Sequence, residues 1–140
     1  MVEPAAVANI LGLREKISTL LQLDDAVSRG LSKQSITRVV TRLAANERDA
    51  RTLRNSLVPL ATWKRTKGRL SRAASERAER LARVLALAEY VLGDAEQGQR
   101  WMTRPHPELG GKTPAESAAT DLGARAAEYV LHALFFGLPV

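Results

Sequence analysis

Ser71-Arg72-Ala73-Ala74-Ser75-Glu76-Arg77-Ala78-Glu79-Arg80-Leu81-Ala82-Arg83-Val84-Leu85-Ala86-Leu87-Ala88-Glu89-Tyr90-Val91-Leu92-Gly93 is the stretch that decides the fold. Ser71 or Ser75 supplies an N-cap hydroxyl, and Gly93 supplies a stop. Between them Leu81, Val84, Leu85, Ala88, Val91 and Leu92 recur at spacings of three and four. The spacing predicts one long helix that joins two halves of the chain rigidly. No segment on either side alternates with period two over a convincing length, so an all-α fold is expected.

Towards the amino terminus the punctuation is helical throughout. Pro4 suits a first helical position, and a short helix over Ala5–Leu11 ends at Gly12. Ile17, Leu20 and Leu21 are spaced as on a helix within 14–23. Asp24 can start a further short helix over Asp25–Arg29, which Gly30 closes in a left-handed cap. Ser32 caps the next helix, whose stripe reads Ile36, Val39, Val40, Leu43 and Ala44. After Asn46, Glu47–Leu57 forms a helix with Ala50, Leu53 and Leu57 inward and Arg48, Arg51 and Arg54 outward. Pro59 redirects the chain into a short helix, Leu60–Thr66, before a Lys67-Gly68 turn.

Towards the carboxyl terminus Asp94 caps a helix over Ala95–Met102 that buries Trp101. A loop with Pro105, Pro107, Gly110 and Gly111 follows. Thr113-Pro114-Ala115-Glu116 is a capping box with proline at the first helical position. Thr120 caps the last helix, whose buried face is expected to hold Leu122, Ala126, Tyr129, Val130, Ala133 and Leu134. Gly137 stops it inside an apolar tip, Leu134-Phe135-Phe136-Gly137-Leu138-Pro139-Val140.

Composition narrows the function. The chain has 140 residues, which makes one domain or two small ones, and no cysteine. It therefore offers no disulfide framework and no thiolate metal site, and a reducing, cytoplasmic setting fits. Acidic Glu3 near the start does not suit a secretory signal. No apolar run reaches membrane-spanning length. Net charge is +6, unevenly spread. Residues 1–83 hold 17 Lys and Arg against 8 Asp and Glu, whereas residues 84–140 hold 4 against 7. That asymmetry points to nucleic acid as the partner of the first part.

Catalytic constellations are absent. His106 and His132 are far apart and lack metal-ligand spacing, so neither a metal nor another cofactor is expected. Gly110-Gly111-Lys112-Thr113 lacks the strand and leading glycine of a phosphate loop and reads as a turn before a capped helix. No nucleophile, base and oxyanion site assembles, so no catalytic residue is assigned and an enzyme is not expected.

Binding features are richer. Helix 47–57, the Pro59 turn and helix 60–66 form a helix-turn-helix pattern. Arg51, Arg54, Thr62, Lys64, Arg65, Lys67 and Arg69 are its candidate DNA-binding residues: long donors for a groove and cations for phosphates. A solvated face is the alternative for the cations, and a core anchor is the favoured reading of Trp63. The tip holds Phe135, Phe136, Leu138 and Val140 around Gly137, with His132 one turn upstream. It can plug a partner, fold back over helix 81–92 or form a homodimer seam, and the residues alone leave all three open.

Gly68-Arg69-Leu70-Ser71, Ser75-Glu76-Arg77 and Arg80-Leu81-Ala82-Arg83-Val84 resemble the junction of Xre/MbcA/ParS-type antitoxins. Gly93-Asp94, Trp101, Pro105, Pro107, Leu109-Gly110-Gly111, Thr113-Pro114 and the terminal Phe136-Gly137-Leu138-Pro139-Val140 resemble that family's toxin-binding domain. The likeness spans about residues 16–140. It implies an Xre-like helix-turn-helix and dimerisation domain over 1–74 and a toxin-binding domain over 75–140. It further implies a type II antitoxin whose partners are a RES-domain, NAD-consuming toxin, operator DNA and a second copy. His132, Phe135, Phe136, Gly137, Leu138, Pro139 and Val140 are the implied toxin-binding residues. Leu134, Phe135 and Phe136 stand where family members often carry a polar residue, which implies shape filling at the toxin pocket. A stand-alone helix-turn-helix regulator with a carboxyl-terminal dimerisation helix, and an RNA-binding adaptor, are the competing expectations.

Overall fold

A computed structural model describes residues 2–139. All regular structure among them is helical. The helices are α1 (Pro4–Leu11), α2 (Leu20–Arg29), α3 (Lys33–Leu43), α4 (Glu47–Leu57), α5 (Leu60–Arg65), α6 (Arg72–Leu92), α7 (Ala95–Met102), α8 (Pro114–Ser117) and α9 (Asp121–Phe135), with a 3₁₀ turn at Pro107–Leu109.

The long helix is the axis of the molecule. Ser71 accepts the Ala74 N–H at 3.1 Å, and Gly93 ends α6 in a left-handed conformation. Helices α1, α2, α3, α7 and α9 all pack on it. Its burial is wider than the stripe read from the sequence. Leu81, Ala82, Val84, Leu85, Ala86, Leu87 and Ala88 are all buried, so this part of α6 is enclosed on nearly every side. Small residues allow that, because alanine lets neighbouring helices approach closely.

Ser75 turns out not to be the cap. It is buried inside α6, where its Oγ accepts the Leu31 N–H at 2.8 Å. The Leu31 carbonyl in turn accepts the Leu70 N–H at 2.8 Å. These bonds anchor the segment after α2 against the start of α6. Gly30 makes the approach possible. Its φ is +98°, and a Cβ there would lie 2.4 Å from the Leu70 carbonyl oxygen.

Three expectations are corrected. The second helix begins at Leu20, not Asp25, because Thr19 and Gln22 form a reciprocal capping box. Gly30 has ψ of 132°, an extended positive-φ conformation instead of a left-handed cap. On α9 the buried residues are Ala124, Ala127, Val130 and Leu131. Leu122 and Tyr129 are 75% and 79% exposed, and Ala126 also faces outward. The small face of α9 sits on α6, where large side chains would hold the axes apart. In α7, likewise, Met102 is the fully buried residue, while Trp101 is half-buried.

Arginines tie the halves to this axis. Arg77 donates from Nε to the Leu57 carbonyl at 2.9 Å, satisfying an end of α4. Arg80 donates from Nη2 to the Ala119 carbonyl at 3.0 Å, just beyond α8. Arg42 of α3 forms a two-pronged pair with Glu89, at 2.9 and 2.8 Å. Carbonyls at helix ends lack intrahelical donors, so these contacts complete them.

Candidate functional site

Two surfaces carry the candidate residues. The first is built from α4, the turn at Val58-Pro59, and α5. Asn46 caps α4 by accepting the Asp49 N–H at 2.9 Å. Val58 in the turn is fully buried, while Pro59 occupies the N-cap position of α5. Helix α5 buries none of its residues completely. It is held chiefly through Trp63, which packs half-buried against the core. Lys33 Nζ and the Arg54 guanidinium each lie 5.2 Å from the Trp63 ring. A cation over an aromatic face is attracted by the ring quadrupole.

This arrangement sorts the cations. Lys64, Arg65, Lys67 and Arg69 are exposed on α5 and the segment after it, and Arg51 is exposed on α4. Arg69 also donates to the Gly30 carbonyl at 3.3 Å. Thr62 is half-buried, and its carbonyl accepts the Thr66 hydroxyl at 2.7 Å. Arg54 is half-buried beneath Trp63, and its Nε is buried without a hydrogen-bond partner in the protein.

A third group of cations escaped the sequence reading. A cleft of about 870 Å³ beside Arg69 is lined by Arg14, Arg29 and Arg38. Arg29 is matched by Glu15 and Asp25, at 2.8 and 2.9 Å, and its hydrogen bonds to these carboxylates raise its pKa. Arg14 and Arg38 are exposed and form no ion pair among the described residues. Lys33, directly after the Ser32 cap, was also missed; its position over Trp63 arises only once α3 and α5 are brought together.

The second surface is the carboxyl-terminal tip. Phe135 ends α9 with its ring 5.7 Å from Tyr90 and 5.2 Å, edge-on, from Phe136. Phe136 and Leu138 are 64% and 58% exposed, and Pro139 is exposed as well. The backbone is nonetheless well held. Gly137 N–H donates to the Leu134 carbonyl at 3.2 Å and Leu138 N–H to the Ala133 carbonyl at 2.8 Å. This is a Schellman pair of bonds, and it needs the positive φ of 68° that Gly137 supplies. The tip thus does not fold back into its own core; only Phe135 leans on α6. Val140 lies outside the described residues.

His132 is half-buried and faces a different way. It lines a cleft between α9 and the first two helices, with Leu20, Glu79, Arg83 and Glu128. There the Arg83 Nε stands 3.7 Å from Glu79 and 3.5 Å from Glu128. Burial pushes the Glu79 carboxyl above the usual carboxylate range, with Arg83 pulling the other way.

Among the described residues no group of His, Asp and Glu could hold a metal ion, and no helix is long and apolar enough to cross a membrane.

Comparison with known proteins matches both surfaces. Residues 22–83 fit the model of the antitoxin Xre-like helix-turn-helix domain. Residues 87–137 fit that of the antitoxin Xre/MbcA/ParS C-terminal toxin-binding domain. The antitoxin Xre of Pseudomonas putida is 33% identical over 81 residues, covering 56% of this chain and 51% of that protein. The chain thus matches about half the length of that curated relative.

Proposed function

We propose, for a chain that belongs to the Xre/MbcA/ParS-type antitoxins, that its exposed tip neutralises a RES-type, NAD-consuming toxin by blocking the entrance to the toxin's active site. One observation carries this reading. Phe136 and Leu138 stand largely exposed on a backbone that the Gly137 cap holds in one conformation. Apolar side chains presented in fixed geometry lose little entropy on docking. Burying each would contribute roughly 1.5–3 kcal/mol before ordering costs. Inhibition is then steric, and the antitoxin itself is a non-enzymatic regulator.

The chain also binds operator DNA as a homodimer in the cytoplasm and so regulates its own operon. Lys64 and Arg65 reach into the groove, while Arg51, Lys67 and Arg69 neutralise phosphates. Arg54 acts indirectly, by steadying Trp63 and hence α5. We divide the chain at 74/75 into the DNA-binding and toxin-binding units.

Deleting Phe135–Val140 should leave the helical circular-dichroism spectrum and sedimentation unchanged and abolish neutralisation of the toxin. Full neutralisation by the truncated chain would end the plug reading. A truncated chain that instead lost its dimer and its operator affinity would favour the stand-alone regulator, in which the tip is a dimer seam. The double substitution Lys64→Ala and Arg65→Ala should weaken operator binding and spare the toxin complex. Unchanged operator affinity would move the DNA contact elsewhere.

A further inference from the structure

The outward face of α9 is unpartnered, and its pattern is regular. Leu122, Ala126, Tyr129, Ala133 and Phe136 follow one another at intervals of four, three, four and three. That is the a/d spacing of a heptad, which lets two helices share a seam. The face lies opposite the one that α9 buries on α6. Leu122, Tyr129 and Phe136 are exposed, as is Ala126, and Ala133 is half-exposed. Large residues occupy every d position and alanine both a positions.

We infer that this face pairs with α9 of a second copy in antiparallel orientation. In an antiparallel pair each a residue lies opposite a d residue of the other helix. Here one register satisfies every layer. Leu122 meets Ala133, and Ala126 meets Tyr129, each twice around a two-fold axis between Ala127 and Glu128. A large side chain always faces an alanine, so the layers fill without clash or void. Such a surface is complementary to itself, as an isologous interface requires. Charge agrees along the flank. Arg125 of one copy comes within about 3 Å, measured along the axis, of the level of Glu128 in the other. Tyr129 keeps its hydroxyl at the wet edge of the seam.

The seam names the surface behind the homodimer proposed above and rests on that part of the reading only. Its register leaves Phe135 and Leu138 of the two copies at opposite ends, so both tips stay free for toxin. Dimerisation and neutralisation therefore occupy different residues, and their failures read out separately.

The test uses the full chain, which contains no cysteine of its own. The double variant Leu122→Cys, Ala133→Cys should oxidise to a covalent dimer on a non-reducing gel, with each cysteine bridging to the other position. Neither single variant should cross-link, because like positions lie about 16 Å apart along the paired helices. Mixing the two singles should give a bridged heterodimer. Separately, Leu122→Glu with Tyr129→Glu should lose the dimer in sedimentation while keeping its helix content, since both side chains are exposed in the monomer. Cross-linking by either single variant would overturn the register. A parent chain that stays monomeric, or a glutamate variant that stays dimeric, would overturn the seam. So would a glutamate variant that loses only toxin binding, which would assign the face to the toxin.

Discussion

Helices α3 and α9 carry apolar residues at the same spacing and meet opposite fates. In α3 the stripe of Ile36, Val39, Val40 and Leu43 is buried almost completely. In α9 the corresponding large residues, Leu122 and Tyr129, face water, and alanines face the core. The difference lies in what surrounds each stripe. The other faces of α3 carry Lys33, Gln34, Arg38 and Arg42, so it has one apolar side to bury. Helix α9 is apolar on two sides, and its neighbour chooses between them. Alanine-rich α6 accepts the smaller side. Periodicity thus locates an apolar face, but only packing decides whether the core or another molecule covers it.

Substitutions can break this contrast. The largest effects belong to Ile36→Ala in α3 and Leu131→Ala in α9, each expected to cost about 2–5 kcal/mol in denaturant melts. Leu122→Ala, made at a concentration that keeps the chain monomeric, should stay within about 0.5 kcal/mol. If Leu122→Ala matched Leu131→Ala, the two faces of α9 would be energetically alike and the comparison would fail. Enlarging the buried face comes next. Ala127→Leu should destabilise by about 1–3 kcal/mol through overpacking against α6, while Ala126→Leu on the outer face should be close to neutral. Equal melting temperatures for those two variants would contradict the close approach of α9 to α6.

The smallest expected effect is a pH slope. Desolvation raises the Glu79 carboxyl, Arg83 and Arg80 pull it down, and Glu128 and Glu76 add to the rise. The folded chain therefore holds this proton to higher pH than the unfolded chain does. Stability falls as pH rises from the usual carboxylate range through the raised folded value, because the folded state binds more protons in that window. Glu79→Gln should flatten that part of the stability profile. A slope that survives the substitution would belong to another group.

Much of the architecture was legible because caps are local. Asn46, Ser71, Asp94, Thr113 and Thr120 each accept the expected backbone N–H, so helices α4, α6, α7, α8 and α9 begin where their hydroxyl or carboxamide side chains say they should. The start of α2 was missed because Asp24 resembles a cap and drew attention from Thr19 and Gln22, which perform that role four residues earlier. The binding surfaces were legible as composition and not as geometry. Cations around α5 could be named from the sequence, but Arg54 could not be separated from Arg51. That distinction depends on Trp63 arriving over it from another helix. The tip was readable as apolar, whereas its exposure depends on the cap bonds and on how far α9 overhangs α6.

One turn of α6 separates Arg77, which grips the end of α4, from Arg80, which grips the end of α8. No glycine or proline interrupts the helix between Arg72 and Leu92, so it has no joint at which to bend. The basic surface and the apolar tip are consequently two ends of one lever. The heading of either is set by the bearing of the other, and a molecule gripped at one end is aimed by whatever grips the opposite one.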